Sequence, residues 1–138
     1  MRNENKGLDA IILDGDGKHL SKLCIKLVSS GYHIAGACAP LAALSHLSCK
    51  TIPLIVIDMD LEGHDPLRTG RIANSIAPHL QIVFTSRSEE KLRQASEMPL
   101  PVLGVLQKPF TPTALIRILE ALTLKPPRHC PNWTLRAA

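Results

Sequence analysis

Aromatic residues are scarce in this chain. They make up 3% of its 138 residues, with one Trp, one Tyr and two Phe. The core must therefore be built from Leu, Ile, Val and Ala. The same scarcity argues against a stacking surface for single-stranded nucleic acid, which interleaves rings with basic side chains. Charge of one sign is lacking too: 16 basic and 12 acidic residues leave a net charge of +4. The bases are scattered, so direct nucleic-acid binding is not expected. No two of Cys24, Cys38, Cys49 and Cys130 form a C-x-x-C pair, which argues against a zinc site and makes a reducing cytoplasm the natural compartment. Long hydrophobic runs are missing as well. The stretch "IPLIVI" is far too short to span a bilayer, and "MRNENKGLD" at the N-terminus lacks a signal core. No membrane partner is expected.

What is present is an ordinary globular composition, 45% apolar and 20% charged, in a length that suits one domain with one real core. Short apolar runs alternate with helical spacing. "AIIL" (10–13) reads as a strand buried on both faces. Leu20, Leu23, Cys24, Leu27 and Val28 then follow helical spacing to a stop at Gly31. "YHIAGAC" (32–38) is a second strand, and "PLAALSHL" (40–47) a second helix with proline in its first turn. "PLIVID" (53–58) is the clearest buried strand, followed by the loop "MDLEGHD". Asp65 is placed to cap a helix through Pro66, Leu67, Ile72 and Ile76. "QIVFTS" (81–86), a helix capped by Ser88 (89–96), "PVLGVLQ" (101–107) and a helix capped by Thr111 complete the pattern. The stripe of that last helix is Leu115, Ile118, Leu119 and Leu122.

Five β–α units demand right-handed crossovers. The expected fold is α/β: a doubly wound, five-stranded parallel sheet with helices on both faces. A short tail (1–8) precedes the domain (9–123), and residues 124–138, with "KPP" and "CPNW", read as a C-terminal tail or the start of a linker.

In such a sheet, ligands bind at the carboxyl ends of the strands. The first strand ends in Asp14, the third in Asp58 and the fourth in Thr85, and Lys108 follows the fifth. Polar strand ends are common singly, and Asp14 alone would pass for a turn residue. Two aspartates, a threonine and a lysine at one rim are a chemical group. Crowded carboxylates raise one another's pKa or recruit a hard cation such as Mg²⁺. A carboxylate can also act as a nucleophile and form an aspartyl phosphate, in a transfer that depends on positioning and charge neutralisation.

On "LDGDG", "LIVIDMDLEGHD", "IVFTS" and "LQKPF", the sequence resembles the receiver domain of bacterial two-component response regulators. The resemblance covers about residues 9–123 and implies that the sheet has the order 2-1-3-4-5 in a flavodoxin-like, three-layer α/β/α arrangement. It implies that Asp58 is the phosphoacceptor, loaded from a sensor histidine kinase or phosphotransfer protein. It implies that Asp14, Asp58 and the backbone carbonyl of Asp60 hold Mg²⁺, that Thr85 binds a phosphoryl oxygen, and that Lys108 pairs with Asp58 and then with the phosphoryl group. Pro109 would follow a cis bond. An output domain or partner protein is implied, as is a homodimer through the last helices. The module itself would be no enzyme beyond accepting its own phosphoryl group, and no organic cofactor is implied.

Two positions depart from the pattern. The family carries two adjacent acids after the first strand, and Gly15 stands where the second belongs. Asp16 is displaced by one place and is either a substitute metal ligand or a turn residue, so Mg²⁺ binding is expected to be weak. An aromatic residue usually stands three places before the lysine, and here it is Val105. Both departures suit the alternative of a phosphorylation-independent interaction module. A third reading is a haloacid-dehalogenase-like phosphatase, on "ILDGDG" and "IVFTS". Against it stand Lys18 after the motif glycine, the absence of an acidic pair after Lys108, and the lack of a cap insertion. His64 is expected to be an exposed loop residue. The remaining histidines, His19 included, show no metal-ligand spacing, and Glu89, Glu90, Lys91 and Arg93 read as a solvated helix face.

Overall fold

The computed structural model describes residues 7–48 and 51–123. Apart from residues 7 and 8, the expected tails lie outside these, as do Cys49 and Cys130. The strands are β1 (Ala10–Leu13), β2 (Ile34–Ala37), β3 (Leu54–Asp58), β4 (Gln81–Ser86) and β5 (Val102–Gln107). The helices are α1 (Gly17–Ser29), α2 (Pro40–Ser45), α3 (Pro66–Ile76), α4 (Glu89–Ser96) and α5 (Pro112–Thr123), with a 3₁₀ turn at His46–Ser48. One sheet runs in the order β2-β1-β3-β4-β5, and every pairing is parallel.

Alternate strand residues serve opposite layers, as the pleat requires. Ile11 and Leu13 of β1, with Ile55 and Ile57 of β3, face a core closed by Ala43, Ala73, Leu92 and Ala95 of α2, α3 and α4. Ala10, Ile12, Leu54 and Val56 face the other core, closed by α1 and α5. There Leu20, Leu23 and Leu27 meet Leu115, Ile118 and Leu119. Each such side chain, taken out of water, contributes about 1.5–3 kcal/mol.

Helix starts follow their caps. Asp16 accepts the Lys18 and His19 N–H groups at the head of α1. Asp65 accepts those of Leu67 and Arg68 in α3, Ser88 that of Lys91 in α4, and Thr111 that of Ala114 in α5. These groups have no partner within the helix itself. Past the end of α1, Gly31 has φ +98°, which only glycine adopts at no steric cost.

Three expectations change. Strand β2 covers only Ile34–Ala37 of the expected 32–38, and α2 tightens into the 3₁₀ turn at His46. In α3 the inward face is Thr69, Gly70 and Ala73, while Ile72 and Ile76 point to solvent. Small residues let α3 approach the sheet: a Cβ added at Gly70 would lie 3.2 Å from Phe84 Cζ. Likewise Val28 of α1 is exposed. Cys24 packs beside the second core, and burial pushes its thiol up, as expected of a small hydrophobe. Met59 is buried.

Candidate functional site

Parallel strands bring their carboxyl ends to one edge. Asp14 follows β1, Asp58 closes β3, and Lys108 follows β5. Thr85 pairs with Asp58 in register. All but the lysine are almost wholly buried: Asp14 2%, Asp58 2% and Thr85 1% exposed. A cleft of about 450 Å³ opens there, lined by Asp14, Asp16, His19, Asp58, Asp60 and Lys108 among others.

Lys108 is the hub. Its Nζ lies 2.6 Å from Asp58 Oδ1 and 3.9 Å from both Asp14 Oδ2 and Asp60 Oδ2. Its backbone N–H donates to the Ser86 carbonyl at 2.8 Å, which fixes the start of the "KPF" turn, and the Lys108–Pro109 bond is cis, as expected. The second Asp58 oxygen accepts the Gly15 N–H at 3.0 Å. Asp58 Oδ1 also accepts the Asp60 N–H at 2.8 Å. The Asp58 carboxylate is thus oriented by two backbone amides and one ammonium group, charge-assisted bonds of the stronger kind.

Asp14 is held in the same way. Its Oδ1 accepts the Asp16 N–H at 2.8 Å, and its Oδ2 lies 3.1 Å from His19 Nδ1. The His19 ring meets Phe110 edge to face at 5.4 Å, so α1 and the turn after β5 touch across the cleft. The Asp60 carboxylate is engaged by the end of β4. The Ser86 hydroxyl donates to Oδ1 at 2.7 Å and the Arg87 N–H to Oδ2 at 2.8 Å. Burial pushes the Asp60 carboxyl up, but those two donors, with Lys108 and Lys91, outweigh it and hold it below the usual carboxylate range.

Sequence spacing missed three of these contributors. His19 shows no metal spacing, yet it sits in the first turn of α1, five residues after Asp14, where the helix start faces the strand end. Asp60 is expected from the sequence to act only through its backbone carbonyl, whereas its side chain is held by Ser86, Arg87 and Lys91. His64 is corrected from an exposed residue to a half-buried anchor. Its Nδ1 meets Thr69 Oγ1 at 3.0 Å, and its Nε2 lies 3.3 Å from the Asp58 carbonyl oxygen, because the loop folds back onto α3. Glu90 and Arg93 pair on the exposed face of α4, as expected of a solvated face.

The donor set does not fit a tightly held divalent cation. Mg²⁺ demands near-ideal octahedral oxygen geometry. Asp14, Asp16, Asp58 and Asp60 already serve protein donors, and Lys108 places its positive charge among three carboxylates. Gly15 offers no carboxylate, and a Cβ added there would lie 2.5 Å from Leu61 Cδ1. Asp16 lines the cleft, but its carboxylate caps α1. Among the described residues no group of three or more His, Cys, Asp or Glu side chains is arranged to hold an ion.

The fold is that of the CheY-like receiver domains of response regulators. A response regulator receiver protein from Sinorhizobium medicae superposes with TM-score 0.71 at 21% identity, over 87% of this chain and 97% of that one. The chemotaxis protein CheY4 of Vibrio cholerae gives 0.72 at 19% identity, over 83% and 98%. A response regulator from Burkholderia pseudomallei, solved with a phosphorylated aspartic acid, a calcium ion and citrate, gives 0.70 at 18%, over 84% and 69%. No protein-family model matches the chain, and no curated protein does. Among the described residues no helix is long and apolar enough to cross a membrane.

Proposed function

We propose that residues 9–123 form a receiver module of a two-component or phosphorelay system, with Asp58 as the acceptor of a phosphoryl group from a histidine kinase or phosphotransfer protein. The observation that carries this reading is the buried Asp58 carboxylate with Lys108 Nζ at 2.6 Å, at the carboxyl end of the central strand. An Asp58 oxygen attacks the phosphorus of a phosphohistidine. The new O–P bond forms as the P–N bond breaks, and the imidazole leaves as the neutral base after taking a proton from solvent. Lys108 offsets the charge gathered on the phosphoryl oxygens, and Thr85, beside Asp58 in register, supplies a hydroxyl to one of them. The work of the site is positioning and neutralisation. The phosphorylated aspartate of the B. pseudomallei structure supports the same chemistry on this fold. The output is a partner protein or a further domain, reached through the later helices, which also offer a face for a homodimer.

A second reading, an interaction module that signals without phosphorylation, is favoured by Leu61 packed beside Gly15 and by Val105, half-buried in β5 beside Phe84. A branched aliphatic side chain has no ring to swing. The phosphatase-like reading needs Asp16 to move protons over Asp14, and Asp16 is instead engaged as the cap of α1. The test is incubation with a small phosphodonor followed by intact-mass measurement. The expected result is one phosphoryl adduct in the wild type and none in Asp58→Asn. An adduct that survives Asp58→Asn but not Asp14→Asn would favour the phosphatase-like reading, and no adduct at all would favour the interaction module.

A further inference from the structure

Asp60 links two parts of the molecule that the acceptor chemistry alone does not join. Its backbone N–H donates to Asp58 Oδ1 at 2.8 Å. Its carboxylate is held from the other side by the β4–α4 connection: the Ser86 hydroxyl at 2.7 Å and the Arg87 N–H at 2.8 Å. Lys91, in the first turn of α4, adds its ammonium at 3.6 Å. Ser86 in turn accepts the N–H of Ser88, the cap residue of α4, at 2.9 Å. A continuous chain of bonds thus runs from the acceptor oxygen through Asp60 to the start of α4. Lys108 is shared by both ends, at 2.6 Å from Asp58 and 3.9 Å from Asp60.

We propose that Asp60 is a positioning residue that tethers the β4–α4 connection to the acceptor loop, and that loading of Asp58 releases this tether and so changes α4. The proposal rests on the receiver reading given above. A phosphoryl group on Asp58 brings two negative charges within reach of Lys108. It competes for the ammonium and repels the Asp60 carboxylate, which weakens the bonds from Ser86 and Arg87. This route does not need an aromatic side chain at position 105, where this chain has Val105. The contacts at both ends are hydrogen bonds and ion pairs, so their release requires no repacking of the apolar core.

Hydrogen–deuterium exchange on the whole chain tests this in two arms. Without phosphodonor, Asp60→Ala should raise exchange across Arg87–Leu92 about tenfold, as expected when bonds to a charged acceptor are lost. Unchanged exchange there overturns the tether. With phosphodonor, the wild type should show the same rise, confined to that stretch. Ser86→Ala, which breaks one bond of the chain and leaves the acceptor cluster intact, should form the adduct to the wild-type extent yet show a smaller further rise. A full response in Ser86→Ala overturns the coupling. The first arm uses no phosphodonor, so a failed tether is distinguishable from a failed acceptor. If no adduct forms in the wild type, the release step falls with the acceptor reading.

Discussion

Lys108 is the residue on which the cleft depends. It is the ammonium shared by Asp14, Asp58 and Asp60, and its side chain is 10% exposed. Removing it leaves buried carboxylates without their counter-charge, which costs about 3–5 kcal/mol. Lys108→Met should therefore lower the unfolding free energy by that amount, read as a lower urea midpoint at an unchanged denaturant slope. Gly15 makes the opposite kind of contribution, by lacking a carboxylate. Calorimetric titration of the wild type with Mg²⁺ should show weak binding. Gly15→Asp should tighten it, and more so when Leu61→Ala removes the methyl group that meets the new side chain. Asp60 carries a pH signature. Its carboxyl is held below the ordinary range, so it adds stability above that range and loses it as pH falls through its own lowered value. Thermal melts between neutral and acidic pH should show that loss in the wild type and a flatter profile in Asp60→Asn.

At the scale of elements, α1 is the clearest case of a helix held by its packing. Leu27 is wholly buried between the sheet and α5. Leu27→Ala should cost about 2–5 kcal/mol in chemical unfolding. Ile25 and Val28, on the outer side of the same helix, are exposed, and their truncation should fall within about 0.5 kcal/mol of the wild type. Most elements were legible in the sequence. Strands β1 and β4 and helix α4 agree residue for residue with the runs "AIIL", "QIVFTS" and "EEKLRQAS", because a buried strand flanked by cap and turn residues has few other ways to fold. The inward face of α3 was less legible. Periodicity marks Ile72 and Ile76 as apolar but does not weigh the space available, and the inward face is made by the smaller Thr69, Gly70 and Ala73.

At the scale of the whole molecule, parallel pairing converts separate residues into a site. Asp14, Asp58, Thr85 and Lys108 span 95 positions of sequence from first to last (14 to 108), and the strand order sets them at one mouth. The alternation of short apolar strands with capped helices determined a parallel sheet with right-handed crossovers, and the expectation of this particular order came from the resemblance carried by the motifs. The chain alone also determined which strand ends carry acids and which carries the lysine. Only the tertiary structure decided how those acids are used. It turned Asp60 toward Ser86 and Arg87, brought His19 to Asp14, folded His64 back onto the Asp58 carbonyl, and placed Leu61 beside Gly15. The physical reason is range. Strand and helix patterns are fixed by neighbours a few residues apart. The partner of a side chain in a loop is fixed by which other loop the sheet brings within about 3 Å, the reach of a hydrogen bond.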